Sequence, residues 1–207
     1  MTGASFFAII RVVLMRYMYA PLIGVAAALL TVFPFLNTTT NTPLPVEEEI
    51  KFEPPTWTCP TCTVEEQYVL KELQEHTRIT DRNALATILG NIKQESKFHS
   101  NICEGGARVP YSDCHRGGYG LIQWTTENRY LGLGRFCDKY NCDPSSLQGQ
   151  TRYMINEIHF QKVLPDFEGS GKTVQQYMIP AYRWLGWGIK GNREVFSYNY
   201  SKKLVLA

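Results

Sequence analysis

Apolar residues follow two regimes along this chain. From Tyr17 to Leu36 (YMYAPLIGVAAALLTVFPFL) twenty uncharged, mostly apolar residues run without a polar period. From about residue 63 onward, apolar positions recur with helical spacing instead. Leu85, Ile88, Leu89 and Ile92 stand at i, i+3, i+4 and i+7, which is one face of an α-helix starting near Thr80-Asp81-Arg82-Asn83. Ahead of it, Thr63-Val64-Glu65-Glu66 has the form of a capping box, with Val69 and Leu73 on one face of the helix it opens. Further helices are predicted near 126–140, 146–161, 173–186 and 192–204. Residues 98–120 carry Gly, Pro and Cys and read as a loop or short β-hairpin. The pattern predicts an α+β domain over 63–207, predominantly helical, with a small irregular or β excursion after its second helix.

The stretch between the two regimes, 37–62, is rich in Thr, Pro and Glu without apolar period and reads as a spacer. About twenty apolar residues suffice to cross a hydrocarbon core of ~30 Å. Arg11 and Arg16 precede the run and Glu47, Glu48 and Glu49 follow it. This charge order predicts one membrane helix at about 17–36 within an N-terminal anchor of residues 1–36. The N-terminus would be cytoplasmic and the domain extracytoplasmic, on the periplasmic or cell-wall side. A cleavable signal peptide and a buried core helix are the competing readings; the long apolar stretch without a clean small-x-small site and the capless run at the N-terminus favour the anchor.

Composition narrows the field further. The chain is 44% hydrophobic, 13% aromatic and 19% charged, which suits a packed domain with an aromatic-lined cleft. The net charge is only +2 and no Lys/Arg run occurs, so nothing points to nucleic acid. All six cysteines follow the apolar run, and an even number on the expected exterior favours disulfides. Local pairing would join Cys103 to Cys114 and Cys137 to Cys142, leaving Cys59 and Cys62 joined or unpaired; six cysteines allow fifteen connectivities. Cys59-Pro60-Thr61-Cys62 also has the spacing of a redox pair or half a zinc knuckle, but no second such pair accompanies it. His76, His99, His115 and His159 show no metal-ligand spacing, and nothing calls for a metal or cofactor.

Glu95 carries the chemistry. On a helical wheel it falls roughly 70° from the centre of the Leu85–Ile92 stripe, at the apolar edge. A carboxyl group there is partly desolvated, which favours its protonated form, and the negative end of the helix acts in the same direction. A glycosidic general acid needs such a proton near neutral pH. About twenty residues on, Gly117-Gly118-Tyr119-Gly120-Leu121-Ile122-Gln123-Trp124-Thr125 offers close backbone approach, an amide and flat aromatic faces for a sugar. The same glycines also suit a plain turn, with Leu121, Ile122 and Trp124 as core.

The segments Gly90-Asn91-Ile92-x-x-Glu95-Ser96-x-Phe98 and Gly118-Tyr119-Gly120-Leu121-Ile122-Gln123-Trp124-Thr125, with Arg129 and Gln150-Thr151-Arg152-Tyr153-Met154-Ile155-Asn156-Glu157, resemble the phage tail lysozyme family. That family belongs to the lysozyme-like superfamily of peptidoglycan-cleaving enzymes. The resemblance covers about residues 65–205. It implies a lysozyme-like fold, peptidoglycan glycan strands as partner, and Glu95 as catalytic acid/base. It also implies that Gly118, Tyr119, Gln123 and Trp124 line the sugar site. The chain departs from the family by carrying His99-Ser100-Asn101 where a proline is usual. Asp113 is the expected helper carboxylate, because related folds place one in this region; Glu104 and Glu127 are the other candidates. The expected activity is cleavage of the β-1,4 bond between N-acetylmuramic acid and N-acetylglucosamine, by hydrolysis or as a lytic transglycosylase. An inactive glycan-binding domain is the main rival, and an assembly protein with a zinc or redox pair at Cys59/Cys62 is a third. In the cluster Tyr182-Arg183-Trp184-Leu185-Gly186-Trp187-Gly188, Trp184 is expected in the core and Gly186 as a helix cap, with Trp187 open.

Overall fold

The structure, a computed structural model, describes residues 54–207 apart from Arg116. The expected membrane helix at 17–36 and most of the spacer lie outside the described residues. Among the described residues no helix is long and apolar enough to cross a membrane. The element order is β1 (Trp57–Thr58), α1 (Val64–His76), α2 (Arg82–Ser96), a 3-10 turn (Tyr111–Asp113) and α3 (Glu127–Tyr140). There follow α4 (Leu147–Asn156), α5 (Ile158–Gln161), α6 (Leu164–Phe167), α7 (Val174–Leu185), α8 (Arg193–Lys203) and β2 (Val205–Leu206). Among the described residues the fold is therefore predominantly helical with one small sheet, in which β1 and β2 pair antiparallel, Trp57 opposite Leu206.

Local chemistry explains the helix starts. Thr63 and Glu66 form the expected capping box on α1, and Asp81 caps α2 by accepting from the Asn83 and Ala84 amides. Helix α2 is the axis of the domain. Every residue from Ala84 to Ile92 is buried, which its small side chains at Ala84, Ala86 and Gly90 permit. Helix α8 crosses it so closely that a Cβ on Gly90 would sit 2.4 Å from the Ser197 amide nitrogen. Around this pair Leu73, Phe160, Phe167, Tyr177 and Trp184 complete the core.

The structure changes two expectations. Residues 57–62, read as the end of the spacer, are packed into the domain: Cys59 is buried, the Trp57 indole donates to the Thr80 carbonyl at 2.8 Å, and Gln74 binds both backbone groups of Trp57. The predicted 146–161 helix breaks at Glu157, whose extended backbone (φ −69°, ψ 145°) ends α4 and turns its side chain inward. Of the loop and the short hairpin expected over 98–120, the structure shows a loop held by isolated bridges, Ile102 with Arg108 and Tyr119 with Cys103 and Trp124. Disulfides join Cys59–Cys62, Cys103–Cys114 and Cys137–Cys142.

Candidate active site

Glu95 lies in the last turn of α2, where the chain then reverses through two left-handed residues, Lys97 (φ 53°) and Phe98 (φ 65°). Phe98 is buried edge-on against Tyr200 of α8, which anchors the reversal. Ser96 explains why a hydroxyl follows the glutamate: its Oγ donates to the Leu121 carbonyl at 2.7 Å, tying the end of α2 to the glycine loop. The loop is secured a second time by Gln150, wholly buried, which accepts from the Leu121 amide and donates to the carbonyls of Ser100 and Pro144, each at 2.7 Å. Gly120 (φ 72°) must be glycine here, since a Cβ would meet the Gln150 amide at 2.3 Å.

The Glu95 side chain is 15% exposed and its Oε1 lies 2.8 Å from Nη2 of Arg193, whose side chain is 6% exposed. Burial pushes the Glu95 carboxyl upward from its ordinary value, while the charges of Arg193 and then Arg129 pull it down; the net direction is up. Burial likewise pushes Arg193 down against the pull of Glu95. Both partners thus shift toward their neutral forms, as expected where desolvation outweighs attraction. A carboxyl group in this state can hold a proton above the pH at which free glutamate loses it.

Arg129 is itself held by a buried carboxylate. Glu157 accepts from Arg129 Nε at 3.0 Å and Nη2 at 2.5 Å, and from the indoles of Trp124 at 3.2 Å and Trp184 at 3.1 Å. This knot joins α3, the α4–α5 break, the glycine loop and α7 beneath the site. Arg129 and Glu157 both stand in the sequence motifs, and only the fold pairs them.

Tyr119 has no exposed surface: its ring stands edge-on to Tyr111 and Tyr130, and its hydroxyl donates to the Val109 carbonyl. Trp124 is equally buried, with its indole spent on Glu157. These rings brace the excursion from inside rather than presenting a face to a groove. Gly118 is buried too, its amide donating to Glu104 Oε2 and its carbonyl accepting from the Glu104 amide. Gln123 is half-buried, held at φ 53° with its amide donating to the Gly120 carbonyl at 3.0 Å.

Asp113 is exposed on the 3-10 turn, accepting from Ser112 Oγ, and Glu127 is exposed in the first turn of α3. Among the described residues the charged groups acting on Glu95 are the two arginines, and none of these carboxylates. Trp184 is buried and Gly186 caps α7 in the left-handed conformation, while Trp187 packs on Tyr182 and Arg193. One grouping was not expected: Glu72, Glu75 and His76 bring ligand-type atoms within 4.8 Å on the last turn of α1. His76 Nε2 lies 3.3 Å from Glu72 Oε2, the ordinary spacing of side chains four residues apart on a helix surface.

Arg193 is the residue that sequence reasoning missed. A signal existed: Asn83, Thr87, Asn91 and Glu95 put a polar residue on every fourth position of α2, and Arg193, Ser197 and Ser201 have the same spacing on α8. The two rows meet antiparallel. Ser201 Oγ donates to Asn83 Oδ1 at 2.7 Å, Ser197 Oγ to the Thr87 carbonyl at 3.5 Å and Arg193 Nη1 to the Asn91 carbonyl at 3.5 Å. The Arg193–Glu95 ion pair closes the seam.

No curated protein matches this chain at a significant level. The family model described as phage tail lysozyme matches residues 65–182, more than half of the chain, and takes in Glu95, the glycine loop, Arg129 and Glu157. The chain belongs to the phage tail lysozyme family.

Proposed function

We propose that this domain cleaves the glycan strands of peptidoglycan at the β-1,4 bond between N-acetylmuramic acid and N-acetylglucosamine, with Glu95 as general acid/base. Family membership supports a peptidoglycan-lytic activity. The observation that carries the residue assignment is the half-buried Glu95 carboxyl at the end of α2, shifted upward by burial. Its proton passes to the glycosidic oxygen as the C1–O bond breaks, and positive charge develops on the sugar ring. Gln123, half-buried on the loop that Ser96 ties to α2, is the proposed sugar contact. The three disulfides suit an oxidising, extracytoplasmic setting.

How the intermediate is quenched has two forms. Hydrolysis by the usual route needs a second carboxylate about 5–9.5 Å away. Internal closure needs only one: a hydroxyl of the same sugar attacks C1 and returns its proton to the Glu95 carboxylate. The first route is that of a hydrolase and the second that of a lytic transglycosylase. The test is the rate at which soluble fragments leave purified peptidoglycan, for wild type and for Glu95→Gln. Loss of a general acid should lower the rate by about a hundredfold or more. A Gln variant as fast as wild type would overturn the assignment.

A further inference from the structure

Arg193 lies beyond the matched segment, which ends at residue 182, yet it is the nearest charged partner of Glu95. It is no surface cation. With its side chain 6% exposed, its charge is buried, and a buried charge needs a compensating partner. Glu95 is the carboxylate that meets it; its other contacts are a 3.5 Å bond to the Asn91 carbonyl and the face of Trp187, 4.7 Å from the ring centroid. Its Nε has no hydrogen-bond partner among the described residues. The guanidinium is therefore fixed by the carboxylate on one side and the indole on the other.

The fold brings it there by a specific route. The α2–α8 crossing at Gly90 and Ser197 sets the register, and one helical turn further along each helix lie Glu95 and Arg193. The loop before α8 is latched to the same turn of α2, because the Asn192 amide donates to Gln94 Oε1 at 2.8 Å.

We propose that Arg193 is a positioning residue for Glu95: it orients the carboxylate toward the scissile oxygen and sets the pH above which cleavage stops. This rests on Glu95 being the general acid. The charged groups facing Glu95 from the packed elements are Arg193 of α8 and Arg129 of α3, and Arg129 is already compensated by Glu157. Arg193 has no such second anion, so its charge acts on Glu95 undivided. A cation beside a carboxyl group favours the ionised form. Removing it leaves the proton on Glu95 to higher pH, so the alkaline limb of the activity profile must move up.

The test is the pH profile of fragment release from purified peptidoglycan for wild type, Arg193→Gln, Arg193→Lys and Glu95→Gln, each with a thermal melt. The expected result is an alkaline limb raised by about one to three pH units in Arg193→Gln. In Arg193→Lys the limb should stay near its wild-type position while kcat falls, since an ammonium keeps the charge but not the planar guanidinium contact. If Arg193→Gln does not fold, the Lys variant decides: wild-type kcat and wild-type limb together refute the positioning role. An inactive Glu95→Gln beside an unmoved limb in folded Arg193→Gln overturns this inference and leaves the Glu95 reading intact. A fully active Glu95→Gln overturns both.

Discussion

Gly90→Ala tests the packing that builds the site. The added Cβ would lie 2.3 Å from Ser197 Oγ, 2.4 Å from Ser197 N and 2.7 Å from Ser197 Cα. Two of these atoms are backbone, so no rotamer change relieves them. Carbon contacts begin at about 3.5 Å, so α8 must retreat by about 1 Å locally. Alanine gains about 1 kcal/mol of helix propensity over glycine. Overpacking typically costs about 1–3 kcal/mol, and a clash with backbone belongs at the upper end. The net is a loss of about 2 kcal/mol. The same retreat moves Arg193, one turn along α8, relative to Glu95, and a displacement of about 1 Å can cost up to a hundredfold in rate. Urea denaturation and fragment release, measured well below the melting transition, read the two effects. Gly188→Ala is the control, since nothing lies within 4 Å of its Cβ position. If Gly90→Ala matches that control in stability and keeps full activity, the close α2–α8 crossing does not position the site.

Two further substitutions probe the buried carboxylates. Glu157→Gln removes the anionic partner of Arg129 and should destabilise the domain by about 3–5 kcal/mol in chemical denaturation; a loss under about 1 kcal/mol would mean that the Arg129–Glu157 pair is not what holds the loop to α3. Glu66 is buried, which alone would raise its carboxyl, but hydrogen bonds from Lys93, Tyr200 and the Thr63 amide hold it below its ordinary value of 4.5. A folded-state value below the unfolded one gives stability that is present above pH 4.5 and lost as pH falls through and below that value. The stability gap between wild type and Glu66→Gln should therefore be open at neutral pH and close on acidification, and a gap independent of pH would refute the ionised state of Glu66.

Local signals in the sequence were legible because short-range physics produces them. The 3.6-residue stripe of α2, the capping box at Thr63, the Gly186 cap and the pairing of Cys103 with Cys114 all involve residues close in sequence. What stayed hidden depends on distant partners. Arg193 reads as an ordinary helix-start residue until α8 is laid against α2, about a hundred residues earlier. Tyr119 and Trp124 are amphipathic, and only the neighbouring Tyr111, Tyr130 and Glu157 decide that their polar ends are satisfied inside the core. Glu157 sits in a sequence that favours continuous helix, and the inward pull of one arginine and two indoles breaks it. Trp57 reads as spacer because its strand partner, Leu206, is distant in sequence.

The most direct measurement is mass spectrometry of the fragments released from purified peptidoglycan by the wild-type protein beside Glu95→Gln. The wild type should release disaccharide units with intact stem peptides, ending in anhydro sugars if the ring closes internally and in reducing sugars if water attacks, and the variant should release no such fragments. Intact glycan strands with severed peptides, or the same fragments from Glu95→Gln, would contradict the proposed reaction.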